Sequence, residues 1–168
     1  EMNTRLVGSE MCIRDSYNDE TNLVLDAACI EIVKSKKFSS LPIITPHEGE
    51  AAKLLKINVE EISNKREYYA QKISDKFGVI TVLKGYETII TDGNKIYICK
   101  DGDSSLAFAG SGDILAGLIG SFLAQGAKRI DSCLLGVSLH AYSATNSKLK
   151  RGLTANELID LIRKNLNQ

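Results

Sequence analysis

Three stretches of this chain carry residue types that do chemistry at short spacing. In Gly110-Ser111-Gly112-Asp113, glycines and a serine precede a carboxylate at the head of an apolar stripe. Unpaired N–H groups at a helix N-terminus attract anions, and glycine lets a phosphate approach the backbone closely. The tetrapeptide alone reads equally well as a tight turn with Asp113 as a helix cap. It is neither a Walker A loop nor a dinucleotide fingerprint. In Thr45-Pro46-His47-Glu48-Gly49-Glu50, His47 and Glu50 stand at i, i+3 on a helix that begins at a strand end, where open α/β sheets bind ligands. A lone histidine there is more often structural. In Val82–Thr88, Lys84, Gly85 and Thr88 close a buried strand, a set suited to polar contacts with a nucleotide or to a strand exit with a solvated lysine.

Such residues need a scaffold to bring them together. Residues 22–27 read as a buried strand, and 29–38 as the helix after it. Residues 41–45 form a second strand ending at Pro46, and a helix opens at His47 with Glu48 and Glu50 in its first turn, where the macrodipole favours acids. Tyr69, Ala70, Ile73 and Phe77 predict a helix over about 63–76, closed by Gly78. Residues 79–85 read as a buried strand and 87–99 as a hairpin turning at Asp92-Gly93-Asn94. Such a hairpin commonly edges a parallel sheet.

A further helix is predicted from near Asp113, with Ile114, Leu115, Leu118, Ile119, Phe122 and Leu123 on one stripe and Gly126 at its end. Gly110, Ser111 and Gly112 are then its N-terminal loop. Two more helices are predicted over 131–148 and 154–166. The last is opened by Thr154 and Glu157 as a capping box, with Leu158, Leu161, Ile162 and Leu166 on one face. This alternation predicts an α/β fold.

A length of 168 residues with 43% hydrophobic content is enough for one domain with a core, and no repeat, low-complexity segment or linker divides it. With 21 basic and 21 acidic residues, the chain shows no footprint for nucleic acid or an anionic membrane. A small ligand is the expected partner. Cys12, Cys29, Cys99 and Cys133 lie far apart, with no CxxC pair or nearby histidine, and read as reduced core thiols. Apolar runs are broken before the ~18 residues of a membrane helix, so a soluble, cytoplasmic protein is expected. The opening "RLVGSEMCIRDS" looks like a translated sequencing-adapter remnant. Residues 1–16 are accordingly expected to be a non-native or disordered leader to a partial domain over 17–168.

Taken in order, "TPHEGE", "VLKGYETII", "GDSSLAFAGSGDILAGLIGSFLAQGA" and "GVSLHAYSA" resemble the NAD(P)H-hydrate dehydratases, ADP- or ATP-dependent enzymes of the ribokinase-like superfamily. The resemblance runs from about Leu23 to Leu166. It implies a three-layer α/β/α sandwich, truncated at its N-terminus. It also implies repair of hydrated NADH or NADPH, by phosphorylating the ring hydroxyl and eliminating phosphate. Phosphoryl transfer chiefly needs positioning and charge stabilisation. The resemblance makes Gly110, Ser111 and Gly112 the cradle of the transferring phosphate and Asp113 the catalytic base. Lys84, Gly85, Tyr86, Glu87 and Thr88 become nucleotide contacts, with His47 and Asp113 touching substrate and Glu50 organising Mg²⁺. A homo-oligomer is compatible with it; nucleic acid and membrane partners are not expected.

Two stretches depart from the family pattern. Asp103-Ser104-Ser105-Leu106 stands where Asn-Pro-Gly-Met is usual, which adds a carboxylate near the phosphate site. Asp26-Ala27-Ala28 replaces Asp-Ala-Asp, which weakens the case for a substrate role there. About a hundred N-terminal residues of the family pattern are also missing. The alternatives are a ribokinase-like kinase for a sugar or vitamin alcohol and an inactive fragment that binds nucleotide. His47, where such kinases more often carry asparagine, favours the dehydratase.

Overall fold

A computed structural model describes residues 22–149 and 151–167. The expectations for residues 1–16 and Cys12 lie outside them. Five strands form one sheet in the order β1 (Val24–Leu25), β2 (Ile43–Ile44), β3 (Ile80–Leu83), β4 (Thr88–Thr91) and β5 (Ile96–Cys99). The first three are parallel, with Leu25 opposite Ile44 and Ile43 opposite Ile80. β3, β4 and β5 are antiparallel, so the 87–99 hairpin edges a parallel sheet as expected. At its turn Asp92 Oδ1 accepts from the N–H groups of Asn94 (2.9 Å) and Lys95 (3.0 Å).

Strand side chains alternate between two faces, and the two faces carry separate cores. On one, Leu25, Ile44, Val79, Leu83 and Ile89 pack against helices α1 (Glu48–Leu55), α2 (Val59–Asn64) and α3 (Arg66–Phe77) through Leu54, Ile62 and Ile73. On the other, Ile43, Ile80, Val82 and Ile90 meet α4 (Ser111–Ala124) and α5 (Arg129–Thr145) through Leu115, Ile119 and Val137. Helices cover both faces, which is the expected three-layer sandwich. The last helix, α6 (Ala155–Leu166), buries Leu158 and Ile162 in a third cluster with Ile114 and Leu118. The single stripe read on α4 is thereby divided between the sheet and α6. The Thr154–Glu157 capping box forms as expected.

The first three strands are shorter than the sequence reading, and four helix boundaries differ from it. The helix expected over 29–38 is a 3-10 helix at Ala27–Lys34, entered through a left-handed Ala27. Its buried residues, Ile30 and Val33, are three apart, and a three-residue repeat places them on one face. The helix expected over 63–76 is two helices, broken at Lys65 (φ −143°, ψ 51°), and α2 starts where the Glu61 side chain accepts from the Asn58 N–H. α5 covers 129–145 rather than 131–148. α4 begins at Ser111, because Gly110 (φ +94°) is its N-cap. Ser111 and Gly112 are thus first-turn helical residues, and Asp113 is the third residue of the helix rather than its cap.

Cys133 is buried, and burial pushes its thiol up to about 12; Cys29 and Cys99 are half-buried. Among the described residues, no helix is long and apolar enough to cross a membrane.

Candidate functional site

The parallel strands β1, β2 and β3 end side by side, and each hands a polar residue to the same edge. Asp26 follows β1, His47 opens α1 after β2, and Lys84 follows β3; the Lys84 N–H donates to the Pro46 carbonyl at 2.8 Å, and His47 and Lys84 pair as an isolated bridge. Carboxyl ends of strands in an open α/β sheet are where ligands bind.

Lys84 Nζ donates to Asp26 Oδ1 at 2.7 Å and lies 4.0 Å from Glu50 Oε2. Both members of the close pair are mostly withdrawn from water, the side chains being 19% and 15% exposed. Burial works to raise the Asp26 carboxyl, but the Lys84 bond and charge, with further hydrogen bonds, hold it below the ordinary carboxylate value. The start of α4 abuts this pair. A Cβ at Gly112 would stand 3.2 Å from Lys84 Nζ and 3.6 Å from Asp26 Oδ2, so glycine allows the lysine to reach the helix end. An ammonium group and the N–H groups of a first helical turn therefore share one spot, an arrangement that attracts phosphate, with the Ser111 N–H itself donating to the Phe108 carbonyl at 3.3 Å.

A cavity of about 500 Å³ opens beside it. The 84–88 loop lines it, with Lys84, Gly85, Tyr86, Glu87 and Thr88 all contributing, and so do Ser111 and Gly112 at the start of α4. Leu115, Val137 and His140 give it a largely apolar floor, while Asp103 and Ser104 stand in its lining. Asp103 Oδ1 accepts from the Ser105 N–H at 2.9 Å and so caps the short 3-10 turn Ser104–Leu106. Asp113 is exposed at the helix mouth, accessible to a molecule arriving from solvent.

His47 and Glu50 serve each other. His47 Nδ1 accepts from the N–H groups of Gly49 (3.0 Å) and Glu50 (3.3 Å), and Glu50 Oε2 accepts from the His47 N–H (2.8 Å). This reciprocal cap starts α1. Because Nδ1 accepts, Nε2 is the nitrogen left facing outward from the cap, 3.6 Å from Glu50 Oε2 in a side chain that is 60% exposed. Any contact of His47 with a substrate runs through Nε2. The bonds of Glu50 run through Oε2, which leaves its other carboxylate oxygen for a cation. Among the described residues no group of three His, Cys, Asp or Glu side chains converges as a metal cage. A phosphate-bridged Mg²⁺ needs only one or two carboxylates, so Glu50 suits that ion and not a fully protein-held one.

Two residues of this site were missed at the sequence level. Asp26 entered the sequence reading only within a stretch that departs from the family pattern, where a substrate role was weakened, and its pairing with Lys84 was not anticipated. His140 lay inside a recognised motif without an assignment. It is 6% exposed, and its Nε2 lies 3.0 Å from the Ser111 carbonyl and 3.3 Å from Ser111 Oγ. A carbonyl only accepts, so Nε2 carries the proton. Burial drives the His140 pKa down to about 4, against a smaller upward pull from the Ser111 carbonyl. The imidazole is therefore neutral at pH 7 and pins the first residue of α4.

A profile of the family described as NAD(P)H-hydrate dehydratase matches residues 7–165. The ADP-dependent (S)-NAD(P)H-hydrate dehydratase of Neisseria meningitidis is 40% identical over 157 residues, covering 89% of this chain and 53% of that protein. The bifunctional NAD(P)H-hydrate repair enzyme Nnr of Vibrio cholerae is 37% identical over 139 residues, covering 81% of this chain and 28% of that one. Among solved structures, the ADP/ATP-dependent NAD(P)H-hydrate dehydratase of Bacillus subtilis, co-crystallized with ATP/Mg²⁺ and soaked with CoA, superposes with a TM-score of 0.86. It is 26% identical and covers 94% of this chain, which covers 60% of it. A ribokinase-like superfamily protein of Enterococcus faecalis V583 superposes at 0.81 with 22% identity, over 94% of this chain and 56% of that one, a likeness of fold. The chain spans between about a quarter and three fifths of the length of these four proteins.

Proposed function

We propose, from the premise that this chain belongs to the NAD(P)H-hydrate dehydratase family, that it binds ADP or ATP between the 84–88 loop and the start of α4. That nucleotide would serve to repair hydrated NADH or NADPH. The observation that carries the reading is the meeting of the Lys84 ammonium with the first turn of α4 at Gly112, on the wall of a cavity of nucleotide-compatible size. The Bacillus subtilis neighbour, an ADP/ATP-dependent enzyme co-crystallized with ATP/Mg²⁺, supports it.

The chemistry follows from what each group can do. Hydroxide leaves poorly, so the ring hydroxyl is first made a better leaving group. Its oxygen attacks the terminal phosphorus, the bond to the bridging oxygen breaks, and the proton goes to the Asp113 carboxylate. Phosphate then leaves the ring carbon with its electron pair, and loss of a proton from the neighbouring carbon restores the double bond. Gly110 permits the left-handed cap that aims the first turn, Gly112 presents its N–H to the phosphate, and Ser111, whose N–H donates to the Phe108 carbonyl at 3.3 Å, lines the phosphate side of the cavity. Lys84 opposes the charge on the phosphates, and Tyr86, Glu87 and Thr88 line the nucleotide side. His47 faces the substrate with Nε2. When bound, Mg²⁺ neutralises phosphate charge, and Glu50 with the phosphate oxygens would hold it.

The test is turnover of hydrated NADH and NADPH with ADP or ATP, followed by recovery of reduced-nicotinamide absorbance. Asp113→Asn separates catalysis from folding. A carboxylate in the first turn is worth about 0.3–1 kcal/mol to the helix, so stability changes little. Loss of a positioned base lowers turnover by roughly 10²–10⁴-fold. Near-normal turnover by this variant would refute Asp113 as the base.

A further inference from the structure

We infer that Arg66 is a positioning residue for this site: its guanidinium braces the 84–88 loop from behind and so sets where Lys84 and the loop meet a bound nucleotide. The inference rests on the nucleotide reading of the cavity given above.

The loop is a thin wall. Tyr86 and Glu87 line the nucleotide cavity on one side and, on the other, a separate cleft of about 390 Å³ in which Arg66 sits. From that cleft Arg66 Nη2 donates to two carbonyls, Leu83 at 3.3 Å and Glu87 at 3.4 Å. Leu83 is the last residue of β3 and Glu87 the last before β4. One nitrogen therefore ties the two ends of the loop together. The other, Nη1, pairs with the Glu48 carboxylate, whose second oxygen accepts from Ser63 Oγ at 2.6 Å. Glu48 is the first residue of α1, beside His47. A single side chain thus links the start of α1, the end of β3 and the loop that carries Lys84.

The backbone of the loop is shaped around this guanidinium. A Cβ at Gly85 would stand 2.9 Å from Nη2 and closer still to Nη1, so the arginine fills the space that any other residue's side chain would need. Gly85 lies at φ +146°, and Glu87 is held at φ +56°, a left-handed conformation that a glutamate adopts only when its surroundings fix it. The break at Lys65 is what frees Arg66 to begin α3 and turn inward. Only a planar fork of donors satisfies two carbonyls and a carboxylate at once; lysine offers a point charge.

The experiment is titration calorimetry of the full chain with ADP and with ATP, each with Mg²⁺, beside thermal unfolding. Arg66→Lys keeps a charge for Glu48 but gives up the double brace. It is expected to fold and to bind nucleotide about tenfold or more weakly, the scale of a lost charge-assisted hydrogen bond. In Arg66→Ala, added guanidinium ion is expected to restore part of the lost affinity. Gly85→Ala is expected to weaken binding further in the wild-type background than in Arg66→Ala, where the clash is gone and only the backbone cost remains. If neither Arg66 variant folds, Gly85→Ala, which displaces the guanidinium without removing it, reads the same property through affinity. Arg66→Lys with wild-type affinity and only a lowered melting point would overturn the inference, as would strictly additive effects of the two alanine changes. A wild-type chain that binds neither nucleotide refutes the functional reading itself, and this inference with it.

Discussion

Acid should loosen this protein through His140 over a defined pH window, and the size of the effect follows from its burial. The imidazole is 6% exposed, and its pKa falls from the ordinary 6.5 to about 4 in the folded chain. In the unfolded chain it returns to the ordinary value. Between pH 6.5 and about 4 the unfolded state therefore binds the extra proton and the native state does not. By linkage, stability declines as pH falls through that window, reaches its full loss near pH 4 and declines no further below it from this cause. At about 1.4 kcal/mol for each power of ten, the loss amounts to about 3 kcal/mol.

The assay is urea unfolding at a series of pH values for the wild type and His140→Gln. Carboxylates titrate in both proteins and cancel in the difference. Glutamine takes up no proton, so the wild type's stability advantage should shrink by about 3 kcal/mol between pH 7 and pH 4. An advantage that stays constant across the window would refute the reasoning. It would mean that the folded protein accommodates a charged imidazole beside Ser111.

Other expectations follow from single contacts. Lys84→Met leaves the mostly buried Asp26 carboxylate without its partner, which should cost roughly 1–3 kcal/mol of stability and weaken nucleotide binding. Adding Asp26→Asn should recover stability but not affinity, and calorimetry that finds unchanged affinity would make Lys84 purely structural. Gly136→Ala places a Cβ 2.7 Å from Ile119 Cγ1 and 3.3 Å from the Ile119 nitrogen, so α4 and α5 must separate. A loss of about 1–3 kcal/mol is expected in denaturant unfolding, and an unchanged midpoint would contradict it. His47→Ala removes the cap of α1 and should cost about 1 kcal/mol, whereas His47→Asn should keep most of that stability. If Nε2 touches substrate, His47→Asn keeps the helix but still loses turnover; full turnover would confine His47 to its capping role.

Much of this fold is legible because it is local. Burial on one face of a helix writes a period of 3.6 into the chain, and that period announced the stripe on α4 and the face of α6, while β3, buried on both faces, was announced by a short continuous apolar run. Asp92-Gly93-Asn94 and the Thr154–Glu157 box are satisfied within a few residues, so they too are readable from the chain. The glycine-rich start of α4 is legible for the same reason, although its boundary is not: the left-handed Gly110 decides that Ser111 is already helical. The division of 63–76 at Lys65 had no periodic signal.

The site itself is mostly a product of strand order. Asp26 and Lys84 are 58 positions apart and meet because β1, β2 and β3 run parallel and end together. His140 reaches Ser111 across 29 positions because α4 and α5 pack as neighbours, and Arg66 reaches Glu48, Leu83 and Glu87 only once α3 lies behind the loop. Residue types, spacing and family resemblance named the groups proposed to carry the chemistry. Which of them share a charge and what holds the loop in place are properties of contacts between distant segments. No local period encodes such contacts, and only the packed tertiary structure decides them.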